Sequence, residues 1–346
     1  MKKSRYLLAP LAALAVFAVS CSDSKTSETS AKPAETSAPN ETTAPTQPVT
    51  SDTVAVTEGK DITIAVITHG DGGVFWSVAQ KGAEAAGADL GIKVQYQGAN
   101  NDGAAQAKMI DDAVAAGVDG IAVSLADPGA LEASVKAAVA AGIPVITLNS
   151  GSDKFKDLGA ITHVGQDETV AGNGAGEKFK AAGKKKLLCV MQEQSNVGLQ
   201  ARCDGAKETF GGEVVNITTS GDADPTTSQS EIKAALDADP AIDAVFATGP
   251  IGAVLARDAV KELGRDVMIG AVDLSSDLLD AIDAGDIAFT IDQQQYLQGY
   301  LSVVFLYLNV TNKNTVGGGL PVYTGPGFVT KDNVAAVKDL VAKGTR

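Results

Sequence analysis

Residues 117–151, "GVDGIAVSLADPGALEASVKAAVAAGIPVITLNSG", contain the pattern that decides the fold of this chain. Two apolar runs, at 120–126 and 144–150, enclose an alanine-rich helical stretch at 131–142. Runs that are apolar at nearly every position are typical of parallel strands covered on both faces. The order strand, helix, strand therefore predicts a right-handed βαβ unit.

The same alternation extends in both directions from this unit. Further strand-like runs occur at 62–68, 93–98, 187–193, 213–220, 244–250, 268–273 and 288–292. Repeated βαβ units predict the α/β class, with an open, doubly wound parallel sheet. A body of about 285 residues exceeds a usual single-core domain, so we expect two such lobes. One crossing between them is predicted at 162–168, where the first run of units ends.

The start of the chain differs in composition from the rest. Residues 1–21 have a basic start, a short apolar stretch and small residues at the end, which predicts a secretory signal peptide. The stretch "AVSC" resembles a bacterial lipobox and marks Cys21 as the lipidation site, although Ala18 replaces the usual leucine. Plain secretion with cleavage nearby is the alternative. Residues 22–58 lack aromatic residues and are rich in Ser, Thr, Ala, Pro and Glu, which predicts a disordered tether.

The composition argues against several classes of protein. A net charge of −14 disfavours nucleic acid as a partner. In an exported protein, Cys189 and Cys203 predict a disulfide, with two separate buried thiols as the alternative. The sequence lacks a phosphate loop, a GxSxG elbow and a metal-ligand spacing, so we expect no metal, no cofactor and no catalysis. A two-carboxylate glycosidase is the less favoured alternative.

The predicted fold also predicts where a ligand binds, because ligands of open α/β sheets meet the carboxyl ends of the strands. The segments that follow the predicted strands are 69–76, 124–127 and 149–150 in the first lobe, and 193–202, 249–250, 273 and 293 in the second. The only tryptophan, Trp76, lies beside Phe75 in the first of these segments. A ligand contact and simple core packing are the two interpretations of this pair.

In the order of its motifs the chain resembles the periplasmic sugar-binding proteins of the ribose-binding type. The matching motifs are "ITHGDGGVFW", "GVDGIAVSLADPGAL", "AAGIPVITLNSG", "RCDGAKETF" and "DVMIGAVDLSSDLLDAIDAGDIAFTIDQQ". The resemblance implies a type I periplasmic binding protein fold, in which two doubly wound parallel-sheet lobes are joined by three hinge crossovers. It assigns residues 60–164 plus 294–322 to the N-terminal lobe and residues 165–293 plus 323–346 to the C-terminal lobe.

The resemblance also implies which side chains hold the ligand. Phe75 and Trp76 would flank a sugar ring, since the C–H faces of carbohydrates pack on aromatic rings. Arg202 would donate hydrogen bonds to hydroxyls, Asp273 would accept them, and Gln293 would do both. The predicted ligand-binding residues are Asp71, Phe75, Trp76, Ser124, Asp127, Asn149, Asn196, Arg202, Asp273 and Gln293.

The chain departs from the ribose-binding pattern in this predicted pocket. Asn149 replaces the usual aspartate, Ser150 replaces a basic residue, and Ala223 stands where ribose binders carry an aromatic residue. Ribose itself is therefore disfavoured, and a related pentose, a hexose or a polyol fits at least as well. The insertion "HGDGG" adds His69 beside Asp71 as a candidate for the pocket.

From these observations we expect an extracytoplasmic solute-binding lipoprotein, a monomer held at the cell surface or in the periplasm by its lipid alone. A monosaccharide or sugar alcohol would bind in the cleft between the lobes, which close about a hinge without changing it chemically. The closed form would deliver the ligand to the permease subunits of an ABC importer. A receptor that couples to a sensor is the alternative.

Overall fold

The computed structural model describes residues 61–346, which form two six-stranded sheets flanked by helices. The predicted signal peptide, the lipidation site at Cys21 and the predicted tether at 22–58 lie outside the described residues. Within 61–346, no helix is both long and apolar enough to cross a membrane.

The first sheet is built mainly from the first half of the described chain. Its strands are β1 (Thr63–Thr68), β2 (Lys93–Gly98), β3 (Gly120–Ser124), β4 (Val145–Leu148), β5 (His163–Gly165) and β11 (Val322–Tyr323). Their order in the sheet is β2-β1-β3-β4-β5-β11, and every pair is parallel. The helices of this lobe are α1 (Gly73–Leu90), α2 (Gly103–Ala116), α3 (Pro128–Ala140) and α9 (Gln295–Asn312).

The second sheet has the same arrangement. Its strands are β6 (Lys186–Met191), β7 (Glu213–Thr218), β8 (Ala244–Ala247), β9 (Met268–Val272), β10 (Phe289–Asp292) and β12 (Gly327–Thr330). Their order is β7-β6-β8-β9-β10-β12, with only β12 antiparallel to its neighbour. The helices are α4 (Glu168–Ala181), α5 (Val197–Phe210), α6 (Pro225–Ala238), α7 (Pro250–Leu263), α8 (Ser276–Ala284) and α10 (Ala335–Ala342).

Each sheet separates two hydrophobic cores, which is why its central strands are apolar at successive positions. In β3 every residue is buried. Ile121 and Val123 belong to the core that contains Leu131 of α3, whereas Ala122 belongs to the opposite core, with Val303 of α9. Burial on both faces is what a parallel sheet covered by crossover helices requires. The predicted α/β class with two parallel-sheet lobes is thus confirmed.

The chain passes between the two sheets after β5, after β10 and after β11, which gives the three crossovers of the predicted fold. Three of the strands beside these crossovers are very short: β5 has 3 residues, β11 has 2 and β12 has 4. The sequence does not indicate them as strands. β5 and β11 are too short to show an apolar run or an alternation, and in β12 only Phe328 and Val329 are apolar.

Helices α4 and α5 are in unusually close contact because glycines of each helix meet the backbone of the other. A Cβ added at Gly172 would lie 2.1 Å from the carbonyl oxygen of Arg202, and one at Gly205 would lie 2.3 Å from that of Thr169. Any side chain at these positions would force the helices apart. The glycine in the "RCDG" motif therefore holds α5, and with it Arg202, close to α4.

A disulfide joins Cys189 of β6 to Cys203 of α5, as the sequence predicts. Both cysteines are buried in the core on that side of the second sheet. Because Cys203 directly follows Arg202, the disulfide attaches this part of α5 to β6, at the lobe face that carries the site described next.

Candidate ligand site

A cavity of about 450 Å³ lies between the lobes, at the carboxyl ends of the parallel strands. Its lining comes from the loops that follow β1, β2 and β4 in the first lobe and β6, β7, β8, β9 and β10 in the second. This is the position at which open α/β sheets bind ligands. The volume falls in the usual range of small-molecule sites.

The structure brings most of the predicted ligand residues to this cavity. Those that line it are Asp71, Phe75, Trp76, Asn149, Asn196, Arg202, Asp273 and Gln293. Ser124 and Asp127 are not in the lining. Ser124 is buried behind His69, and its hydroxyl oxygen accepts a hydrogen bond from the His69 backbone N–H at 2.7 Å. Asp127 caps α3, because its carboxylate accepts from the Ala130 N–H at 3.1 Å.

The two aromatic residues form an edge-to-face pair at the start of α1. The ring centroids of Phe75 and Trp76 are 4.7 Å apart and the ring planes are inclined by 78°. Trp76 also meets the imidazole of His69 edge-on, at 4.8 Å. It is 9% exposed and belongs to the core of the first lobe as well as to the cavity lining. Core packing and cavity lining are therefore both true of Trp76.

Arg202 is held in place by a buried ion pair with Glu168 of α4. Its Nε donates to Glu168 Oε2 at 2.5 Å, its Nη2 to Glu168 Oε1 at 3.0 Å, and its Nη1 to the carbonyl of Thr248 at 2.7 Å. Gln166 donates a further hydrogen bond to Glu168 at 2.8 Å. Among the described residues, three of the five N–H groups of the guanidinium thus have protein partners. The other two have no protein partner there.

A chain of amide hydrogen bonds links the two lobes at the back of the cavity. Asn149 follows β4 in the first sheet, and Asp273 follows β9, the strand at the same position of the second sheet. The Gln293 side chain accepts from Asn149 Nδ2 at 3.1 Å and donates to Asp273 Oδ1 at 2.7 Å. Asn149 and Asp273 both adopt left-handed backbone angles, with φ of 61° and 70°. Such strain in non-glycine residues is concentrated at functional sites.

The Asp273 carboxyl is the only acid in this chain of hydrogen bonds. Burial raises its pKa from 3.8 to about 7, although Arg202 and the hydrogen bond from Gln293 act in the opposite direction. The carboxyl therefore loses its proton near neutral pH. A ligand hydroxyl that donates to this carboxylate favours the ionised form, as any hydrogen bond to a charged group does.

The lobes are in contact across the mouth of the cavity, so the structure shows them closed. His69 Nε2 of the first lobe lies 3.6 Å from Glu193 Oε2 and 3.3 Å from Asn196 Nδ2 of the second. The backbone N–H of Val197 donates to the carbonyl of Ala126 at 3.1 Å. These contacts join the two lobes beside the cavity.

Several residues of the site have no role in the sequence prediction. Glu168 is the last residue of the predicted crossing, and Glu193 lies within the segment 193–202 without being selected as a ligand residue. Asn100 and Asn101 line the cavity from the turn after β2, with left-handed φ of 51° and 61°. Two consecutive asparagines directly after a strand are the signal that could have identified this turn.

The chemistry of the lining suits a small hydroxylated ligand. Carboxylates and amides accept or donate hydrogen bonds to hydroxyl groups, and the aromatic pair offers a surface to C–H groups. Within residues 61–346, no group of three or more His, Cys, Asp or Glu side chains is arranged to hold a metal ion.

Comparison with known proteins agrees with this geometry. The sequence pattern of the periplasmic binding protein domain matches residues 64–314. The xylose/arabinose-binding protein XylF of Sulfolobus acidocaldarius is 26% identical over 78% of this chain and 71% of its own length. The ribose import binding protein RbsB of Haemophilus influenzae is 30% identical over 70% of this chain and 83% of its own.

Solved structures show the same fold. A carbohydrate transporter from Acidothermus cellulolyticus 11B, crystallised in complex with myo-inositol, is 44% identical to this chain. The match has a TM-score of 0.80 and covers 83% of this chain and 100% of that one. A solute-binding protein from Burkholderia graminis in complex with D-arabinose is 27% identical, with a TM-score of 0.72, over 80% of this chain and 98% of that one.

Proposed function

The chain belongs to the periplasmic binding protein family, and we propose that it captures a monosaccharide or sugar alcohol between its lobes and delivers it to an ABC import permease. The observation that carries the proposal is the cavity of about 450 Å³ between the lobes, lined by residues of both. A ligand that contacts both lobes stabilises the closed form over an open one. The closed form is then the shape that a permease recognises.

Within this ligand class we propose a cyclic polyol such as myo-inositol as the first candidate. The structure with the myo-inositol complex is 44% identical, well above the identities to the ribose- and arabinose-binding proteins. The replacements of ribose-type residues at Asn149, Ser150 and Ala223 also support a ligand other than ribose.

The proposed mechanism is binding by hinge closure without a change of any bond in the ligand. In this mechanism the aromatic pair Phe75 and Trp76 packs on the ring, while Arg202, Asp273 and Gln293 hold the hydroxyls. We propose lobes of residues 60–164 plus 294–322 and 165–293 plus 323–346, which move about the three crossovers. Asp71, Asn149 and Asn196 complete the contacts to the ligand, whereas Ser124 and Asp127 support the loops that carry them.

The fluorescence of Trp76 provides the test, because it is the only tryptophan of the chain. We expect a saturable change when the protein of residues 22–346 is titrated with myo-inositol or a close relative. The panel includes other cyclitols, ribose, xylose, arabinose, glucose, linear polyols and a set of amino acids. Calorimetry on the same samples reports binding independently of the fluorophore, and recovery of unchanged ligand shows that no reaction occurs.

Two variants distinguish a ligand contact from a general effect. Phe75→Ala is expected to weaken binding about three- to tenfold, through lost aromatic contact. Tyr307→Ala removes an aromatic side chain of α9 that does not line the cavity, and it is expected to leave the affinity unchanged. If neither fluorescence nor calorimetry detects binding of any carbohydrate or polyol, this function is ruled out.

We further propose that the protein is anchored to the membrane only by a lipid on Cys21, as a monomer. Membranes of cells that express the full chain are expected to hold the protein, labelled by radioactive palmitate. Cys21→Ser should abolish the label, because the lipid is attached through the cysteine sulfur. Equal labelling of both proteins would contradict lipidation at this cysteine.

A further inference from the structure

We infer that His69 is a pH-sensitive latch between the lobes, which must be neutral for the cleft to close. The inference rests on the proposed function in one respect: it concerns the closure that retains the ligand. It adds that the ligand is held less tightly in acid, through this one side chain.

The geometry gives His69 one attachment in each lobe. In its own lobe, Nδ1 lies 2.8 Å from the hydroxyl oxygen of Ser124. Across the cleft, Nε2 lies 3.6 Å from a carboxylate oxygen of Glu193 and 3.3 Å from the amide nitrogen of Asn196. The residue is only 6% exposed. Opening the lobes removes the partners of Nε2 and the second wall around the ring.

Groups from both lobes surround the imidazole. They are Ser124 at the end of β3, Trp76 in α1, Glu193 and Asn196 in the loop after β6, Arg202 in α5, and Asp127 before α3, which lines a small cavity together with the ring. Burial lowers the pKa of His69 from 6.5, Glu193 partly opposes this, and the Arg202 cation adds to it. The closed cleft therefore binds the neutral ring in preference to the charged one.

The sign of the pH effect follows from these surroundings. In an open form the ring reaches water and its pKa returns towards 6.5. Closure then releases a proton, so it is fully favoured above pH 6.5 and opposed below it. While the pKa of the closed form stays below the working pH, each further unit of acid shifts the balance about tenfold towards the open form.

The chain contains a built-in control, because it has only 2 histidines. His163 lies on β5 inside the first sheet, with Nδ1 3.0 Å from the hydroxyl of Thr147 on β4. Burial lowers the pKa of His163 to about 3. Its hydrogen-bond partner Thr147 belongs to the same sheet, so we expect closure to leave its protonation unchanged.

The first test compares affinities for myo-inositol, measured by calorimetry at pH 7.5 and pH 5.5. The ratio of the wild-type affinity to that of His69→Gln is expected to fall about tenfold between the two values. Titration of Asp273, which makes no hydrogen bond to His69, affects both proteins and cancels in the ratio. His163→Gln should retain the wild-type pH profile. Parallel profiles for wild type and His69→Gln would overturn the latch.

The second test needs no ligand. Ala126 and Val197, whose backbones are hydrogen-bonded across the cleft, are both replaced by cysteine and oxidised to lock the lobes together. The pKa of His69, followed by NMR, is expected to be lower in the locked protein than in the unlocked Val197→Cys single variant. The same pKa in both would overturn the latch. A lowered pKa in a protein that binds neither a monosaccharide nor a polyol would retain the latch and reject the proposed function instead.

Discussion

Arg202→Ala is expected to lower the free energy of unfolding by about 3–5 kcal/mol, because it leaves a buried carboxylate without its cation. The Arg202 and Glu168 side chains are only 4% and 6% exposed. Glu168 receives both of its guanidinium hydrogen bonds from Arg202, so the substitution removes its only cationic partner among residues 61–346. Urea unfolding of the ligand-free protein at neutral pH measures the loss.

A double variant separates the cost of the unpaired charge from the value of the pair. In Arg202→Met with Glu168→Met, apolar side chains replace both charges, and we expect most of the lost stability to return. Arg257→Ala is the matched control: this arginine pairs with its neighbour Asp258 at a more exposed position, and its loss should cost less than about 1 kcal/mol. A similarly small loss in Arg202→Ala would show that the buried pair does not hold the site together.

This pair shows where sequence reasoning reaches its limit. The segment 193–202 after a predicted strand, together with the "RCDG" motif of the resemblance, predicts that Arg202 lies at the cleft. Its partner Glu168 is 34 residues earlier, in the first turn of another helix. There it has the pattern of an ordinary acidic residue at a helix N-terminus. Contacts between elements depend on how the helices pack, and no local spacing records them.

The architecture is easier to predict from the sequence than contacts between helices, because the alternation of strand and helix patterns is a local property. The nine strands with apolar runs were all found, and their carboxyl ends located most of the cavity lining. Strands β5, β11 and β12 are not predicted, because they form by pairing with neighbouring strands and have no clear sequence pattern of their own. The sequence also predicts the position of the aromatic pair. Core packing and cavity lining are not alternatives for it, since Trp76 belongs to both the core and the lining.

Asp273→Asn is expected to weaken ligand binding roughly 10- to 150-fold, because a charged acceptor of hydroxyl hydrogen bonds becomes a neutral one. The carboxamide keeps the shape of the side chain and can still accept from Gln293. Asparagine also tolerates the left-handed backbone, with φ of 70°, better than most residues. Asp127→Asn is the matched control, since Asp127 caps α3 outside the cavity lining and asparagine caps equally well. Calorimetry with the ligand identified in the panel measures both.

The same substitution is expected to stabilise the ligand-free protein at neutral and alkaline pH. Since folding raises the pKa of Asp273 from 3.8 to about 7, the folded state binds this proton more tightly than the unfolded state. Its contribution to stability is complete below pH 3.8 and is lost as the pH rises through 7. Asparagine has no proton to lose. The free energy of unfolding of the variant, relative to that of wild type, should therefore rise by roughly 1–3 kcal/mol from pH 5 to pH 8.

Opposite effects on stability and affinity are what distinguish a binding residue from a structural one. A carboxylate that only supported the fold would make Asp273→Asn less stable, with affinity falling in proportion to the fraction unfolded. A carboxylate that serves to bind the ligand lowers the stability of the ligand-free protein, and binding of the ligand restores that stability. Loss of stability at pH 8 together with wild-type affinity would therefore remove Asp273 from the ligand contacts and leave it a structural role beside Gln293.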